Sequence, residues 1–293
     1  MSLRSNYKEV LVFFNRLRLM VGRRGRFYMD FRTIEVLSPA ATLMLAAELD
    51  RWRRVGGFRP TIIDLEQWRP EVRRLLEEMG LFDLLDVKNP PPSPALTKDS
   101  ARFVRFATGK GALGADAVAM RKAIEAVAGE LPDRRDIYDG IVESMTNVVH
   151  HAYPTRASYW VPVFQGTWWM AGSFDPLKRQ LRILFYDQGV GLPATIPRKN
   201  NWEQVRALLK SNDDGDMIAA AFEWRRSRTR LKHRGRGLAR ISRVIDSVSD
   251  GSVRILSGRG EYTYDRKDGG RANNNPIPLG GTLIQWELIL PGA

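Results

Sequence analysis

Four short stretches of this sequence combine residue types that can hold and work on a phosphorylated ligand. The first is Glu143-Ser-Met-Thr-Asn147-Val-Val-His150-His151-Ala152-Tyr153. On a helix, positions 143, 147, 150 and 151 share one face. The Asn147 carbonyl oxygen can ligate Mg²⁺, a hard cation that prefers oxygen. The Glu143 carboxylate can accept a proton from water or from a hydroxyl nucleophile. An amphipathic helix with ordinary polar residues has the same spelling, and short motifs match often by accident.

The second stretch is Leu181-Arg-Ile-Leu-Phe-Tyr-Asp187-Gln-Gly189-Val-Gly191-Leu192-Pro193. A β-type run delivers Asp187 to a strand end, where its carboxylate can accept from the exocyclic amine of adenine. Gly189 and Gly191 let the backbone approach a ligand where a Cβ would clash. The bland counterpart is a strand leading into a tight turn. The third is Arg234-Gly235-Arg236-Gly237-Leu238 before an amphipathic run. Backbone N–H groups at a helix start form a phosphate site, although a lone Gly-x-Gly also marks a loose helix start. The fourth is Gly280-Gly281-Thr282, opening the last strand. Alone it is little more than a turn.

The elements around these stretches form two blocks. Asn89-Pro-Pro-Pro-Ser-Pro94 cannot continue a helix or a central strand and reads as a semi-rigid spacer. The expected division is a first domain at 1–88, a linker at 89–96 and a second domain at 97–293. In the first block, strands are expected at 26–31 and 61–65, and helices at 40–55 and 70–79. Ser38 caps the earlier helix and Pro39 occupies its first position. The second block predicts a strand at 102–107 and helices at 115–129 and 133–153. Two or three strands follow up to Tyr186. A long polar and basic connection at 189–236 is read as a lid. A helix at 237–248 and strands at 252–256, 262–265 and 282–290 complete the chain. The class is mixed α/β, in α+β order.

Composition narrows the chemistry. The 293 residues contain no cysteine, so thiolate nucleophiles, thiolate metal sites and disulfides are excluded. His150, His151 and His233 are the only histidines, too few for an ordinary zinc site. Arg16 and Arg18 interrupt the apolar stretch near the amino terminus, and no run is long enough for a membrane span. A cytoplasmic chain is expected. The net charge of +13 suits an anionic partner. Between Arg225 and Arg236 seven of twelve residues are basic and none is acidic; a solvated loop and a phosphate- or partner-contacting segment fit this run equally well.

The order and spacing of the four stretches resemble the nucleotide-binding boxes of the gyrase, histidine kinase and mismatch-repair ATPase superfamily (GHKL). The resemblance covers roughly 102–291, and the 143–153 stretch looks closest to the bacterial anti-sigma-factor serine kinases. It implies an α/β sandwich, a mixed sheet with helices on one face and a lid. It implies Mg²⁺ and ATP as cofactors, with Glu143 as general base and Asn147 as magnesium ligand. Asp187 would contact adenine, Gly189 and Gly191 would line its pocket, and Gly235 and Gly237 would edge the phosphates. Leu238 and Thr282 complete the nucleotide-binding set. The 191–235 segment is longer and more basic than a minimal anti-sigma kinase needs. The phosphoacceptor hairpin of a histidine kinase is missing.

Residues 26–87 resemble a degenerate STAS domain, the anti-sigma-factor antagonist fold, in Met29-Asp-Phe, Ile34-Glu-Val-Leu-Ser-Pro-Ala-Ala-Thr-Leu and Leu81-Phe-Asp-Leu-Leu. Pro39 stands at the usual phosphoacceptor position, which leaves Ser38 a capping role. The resemblances together imply an ATP-dependent switch, an ATPase or serine kinase acting on a regulatory protein in bacterial signalling. A non-catalytic, nucleotide-gated binding module is the alternative. Nucleic acid on the basic face is a third reading, less favoured, and a homodimer is left open.

Overall fold

The computed structural model describes residues 1–23, 25–56, 60–131, 133–155, 157–159, 161–228, 237–248 and 250–291; at 225, 227, 228 and 237–239 only the backbone is described. The chain begins with α1 (Tyr7–Leu19), β1 (Tyr28–Met29), α2 (Pro39–Gly56), β2 (Thr61–Ile62), α3 (Pro70–Glu78) and α4 (Leu81–Leu84). It continues through β3 (Arg102–Lys110), α5 (Gly114–Ala128), α6 (Arg134–Asn147), β4 (Thr167–Asp175) and β5 (Gln180–Asp187). Two short helices, α7 (Leu192–Thr195) and α8 (Trp202–Arg206), lead to α9 (Asp214–Arg228) and α10 (Gly237–Asp246). The strands β6 (Gly251–Ser257), β7 (Gly260–Asp265), β8 (Gly269–Asn274) and β9 (Thr282–Ile289) end the chain. The class is mixed α/β.

One seven-stranded sheet, in the order β3-β4-β5-β9-β6-β7-β8, organises the molecule. Every pair in it is antiparallel, so the expected mixed sheet is corrected here. The first block likewise holds a parallel β1–β2 pair in place of a mixed sheet. Three of the six pairs, β4–β5, β6–β7 and β7–β8, are short hairpins, which need no crossover.

Both faces of the sheet are buried. On the front, Trp168, Met170, Ile183, Phe185, Ile284 and Trp286 meet the apolar stripes of α5, α6 and α10 and buried apolar residues of α9. On the rear, Trp169, Ala171, Leu184, Tyr186 and Leu283 join one core with α1 to α4. The alternation follows from the period of two along a strand. Strands buried on both sides read as near-continuous apolar runs, as Leu181–Tyr186 does. The amino-terminal residues also lace to the rear face by polar contacts: Arg254 donates to the Leu3 carbonyl at 2.9 Å, and Arg4 pairs with Glu287 at 2.9 Å.

Three further expectations are corrected. Helix α1, where only an interrupted apolar stretch is expected, buries Val10, Leu11 and Phe14. Much of the expected lid is helix packed on the sheet: Ile218 and Phe222 of α9 are fully buried, and α9 contacts β7 and β8. Arg226, in the basic run of that segment, lies 4.5 Å from the Tyr264 ring centroid. Strand β8, spelled Gly-Gly-Arg-Ala-Asn-Asn, pairs with β7 with no apolar signal. The Ser38 cap is present, with Oγ accepting from the Ala41 N–H at 3.2 Å. Residues 89–96 carry no helix or strand.

Candidate functional site

Three neighbouring strand ends lie in one row. Asp187 of β5 is in register with Thr282 of β9, and Thr282 with Ser257 of β6. All three side chains are buried. Asp187 Oδ1 accepts from the Gly189 N–H at 2.8 Å, and the Thr282 backbone and hydroxyl lie near enough to the same carboxylate to pull its pKa down. Ser257 Oγ lies 2.9 Å from the Thr282 hydroxyl and accepts from the Leu192 N–H at 2.8 Å. Burial lifts the Asp187 carboxyl to about 7, against the opposite pull of the Gly189 and Thr282 donors.

The turn before Thr282 needs glycine twice. Gly280 and Gly281 have φ of 78° and 112°, which L side chains rarely adopt. A Cβ at Gly281 would sit 1.9 Å from the Asp187 carbonyl oxygen. The turn is therefore pressed against the strand end that carries the carboxylate.

From the front, α6 delivers the amide. Asp133 caps the helix, accepting from the Arg135 and Asp136 N–H groups. Directly after Asn147 the chain widens into one π-helical turn at Val148–Ala152, a feature frequent at functional sites. The turn brings Ala152 against the strand end: its carbonyl accepts from the Val190 N–H at 2.8 Å. A Cβ at Gly189 would lie 2.3 Å from that carbonyl. Tyr153 donates to the Thr167 carbonyl at 2.8 Å and accepts from the Gln188 N–H at 3.0 Å.

These elements enclose a narrow slot. Ser144, Asn147 and His151 line it from the helix, Asp187 and Thr282 from the strands, and Gly191, Leu192 and Thr195 from the far wall. Its free volume is about 20 Å³, room for little more than a water. The Asn147 Nδ2 is buried there without a hydrogen-bond partner. A wider cleft of about 490 Å³ adjoins the slot through His151 and Thr195 and is lined further by His150, Arg198, Lys199 and Asn200. The Arg198 and Lys199 side chains make it a basin for anions.

The structure thus brings together Asn147, Asp187, Gly191 and Thr282. Gly189 lies behind the slot, against Ala152. Glu143 is buried but is not among the lining residues; its carboxylate lies 3.9 Å from Arg240 Nη1 on α10. Helix α10 starts at Gly237 and packs on α6, where a Cβ at Gly140 would touch Val244 at 3.0 Å. Gly235 lies outside the described residues, as do residues 229–236 of the basic run and the Leu238 side chain. Sequence reasoning passed over Ser144, Ser257 and Thr195. Ser257 has no local signal, because only strand register puts it beside Thr282.

Among the described residues no group of three or more His, Asp or Glu side chains gathers to hold a metal, and no helix is long and apolar enough to cross a membrane. No family model and no curated protein matches this chain.

Proposed function

We propose that this chain is a Mg-ATP-binding regulatory protein of the bacterial cytoplasm, related to the GHKL ATPases and acting on a partner protein. The observation that carries this reading is the convergence of Asn147, Asp187, Gly191 and Thr282 on one slot from three separate segments of the chain. A buried carboxylate fixed by Gly189 and Thr282 suits recognition of an exocyclic amine. The unpartnered Asn147 amide suits a ligand that would satisfy it; its carbonyl oxygen, with ligand phosphates and waters, would complete a magnesium shell. The adjoining cleft, with Arg198 and Lys199, offers the triphosphate a path. A purine needs more room than about 20 Å³, so binding requires the slot to widen. The experiment is calorimetric titration with ATP, with and without Mg²⁺, followed by incubation with γ-labelled ATP. Label on protein, or as free phosphate, supports the kinase or ATPase form. Absence of any ATP binding refutes the nucleotide reading.

A second reading, the non-catalytic nucleotide-gated module, is favoured by one observation: Glu143 pairs with Arg240 and does not line the slot. Binding without turnover would support it.

A further inference from the structure

The rear of the slot is held by charges that belong to the amino-terminal helices. Arg18 of α1 and Glu48 of α2 are almost fully buried and pair at 2.8 Å. Arg51 approaches the other Glu48 oxygen at 3.2 Å, so two guanidinium groups share one carboxylate. Arg18 reaches further. Its Nη2 donates to the Tyr186 hydroxyl at 3.3 Å, and that hydroxyl donates to the Gly280 carbonyl at 2.9 Å. A Cβ at Gly280 would lie 2.8 Å from Arg18 Nη1. The Gly280–Gly281 turn is therefore clamped, with the Arg18 guanidinium behind it and the Asp187 backbone in front. Thr282, the next residue, is in register with Asp187 across the β5–β9 pair.

Tyr186 and Asp187 are consecutive and point to opposite faces of β5. The strand thus joins a rear polar network to the front slot across one peptide unit. Buried ion pairs of this kind are weak devices for stability, since apolar residues of similar volume often do as well. They do impose direction: the Arg18 fork fits one position of the Tyr186 hydroxyl.

We propose that Arg18 and Tyr186 are positioning residues for the Asp187 slot, through which docking of α1 and α2 on the sheet sets the placement of the Gly280–Thr282 turn and hence ligand affinity. The affinity half of this inference rests on the nucleotide reading above; the placement half does not. Coupling of this kind is reciprocal, so ligand in the slot would also tighten the docking of α1 and α2.

The test uses the full chain with Tyr186→Phe, which keeps the ring and removes only the hydroxyl, and with Arg18→Gln as a second variant should the first not fold. Hydrogen exchange is followed in the peptide covering 277–284 and in α5 as an internal reference. ATP affinity is measured by calorimetry. The expected result is exchange about five- to tenfold faster at Gly281 and Thr282, with α5 unchanged, and ATP binding weaker by a similar factor, the scale of one hydrogen bond. The Tyr186→Phe and Thr282→Ala losses should be non-additive, because they act on one turn. Unchanged exchange at 277–284 overturns the proposal. Exchange that rises equally in α5 also overturns it, in favour of a merely structural role. If the parent takes up no ATP, the nucleotide reading fails by itself, and the local exchange result still decides whether Arg18 and Tyr186 place the turn.

Discussion

The Tyr153 hydroxyl accepts a hydrogen bond from the Gln188 backbone N–H at 3.0 Å and so ties the end of the π-helical turn to the strand end that carries Asp187. The same hydroxyl donates to the Thr167 carbonyl at 2.8 Å, which adds the start of β4 to the junction. Tyr153→Phe leaves a buried donor and a buried acceptor without this partner. The expected loss of stability is about 1–3 kcal/mol, read as a lower urea midpoint at unchanged slope. An unchanged midpoint would mean that water replaces the hydroxyl without cost.

Asp187 predicts two opposite pH trends. Its carboxyl is raised from 3.8 to about 7 in the folded chain, so folding takes up a proton between those values. The stabilising contribution is full below the unfolded pKa and is lost as pH rises through about 7. Recognition of an adenine amine, by contrast, is stronger with the ionised carboxylate, a charged acceptor, so affinity should increase over the same range. Adenosine is the suitable ligand, because it carries no phosphate that titrates there. Asp187→Asn should flatten both trends and weaken ATP binding by about 1.5–3 kcal/mol. A parent whose adenosine affinity is level from pH 5 to 8 would remove Asp187 from the adenine contact.

The front half of this arrangement was legible in the residues themselves. The helical spacing puts Asn147 one turn beyond Glu143 on the helix expected at 133–153, although it gives no sign of the π-turn that follows, and the apolar run to Tyr186 delivers Asp187 to a strand end. Ser257 was not legible, because partnership across β6 and β9 depends on register between segments far apart in sequence. Helix α9 was hidden by its own composition: Met217 to Phe222 is apolar all round, so no stripe of period 3.6 stands out. The rear network was hidden for another reason. Arg18, Glu48 and Arg51 read as surface residues, and only their mutual pairing makes their burial tolerable. The near-continuous apolar runs of β4 and β5 hinted that the rear face is covered.

Two glycines test how tightly the strand end is packed. Gly189→Ala would place a methyl 2.3 Å from the Ala152 carbonyl, and Gly281→Ala would place one 1.9 Å from the Asp187 carbonyl at a φ of 112°. Overpacking typically costs about 1–3 kcal/mol, and the backbone strain at Gly281 adds about 1 kcal/mol or more. Gly281→Ala should therefore be the more damaging, measured as the drop in Tm. Gly111→Ala is the control, since a Cβ there meets nothing within 4 Å although its φ is 86°; it carries the strain without the clash. Equal losses at positions 111 and 281 would show that the close approach to Asp187 is unimportant.

Glu143 and Asn147 are separated by one helical turn, yet the structure gives them different surroundings, and this separates their expected effects. Asn147 lines the slot, where its carbonyl oxygen would hold Mg²⁺, so Asn147→Ala should reduce Mg-dependent ATP affinity; its Nδ2 makes no hydrogen bond within the chain, so the fold should be barely affected. Glu143 is buried and lies 3.9 Å from Arg240, so it has two candidate roles. As a general base it contributes about 10²- to 10⁴-fold to turnover, and Glu143→Gln would bind Mg-ATP nearly as the parent does but turn it over far more slowly. As a structural partner of Arg240 it contributes to the α6–α10 contact, and Glu143→Gln would lower the urea midpoint, because Arg240 would lose its carboxylate in a largely buried place. Paired measurements of γ-phosphate release and urea midpoint separate the two. Lost turnover at an unchanged midpoint assigns Glu143 to catalysis. A lowered midpoint, in a parent that never turns ATP over, assigns it to the helix contact and favours the nucleotide-gated module. If Asn147→Ala binds Mg-ATP like the parent, the magnesium assignment is wrong whichever role Glu143 has.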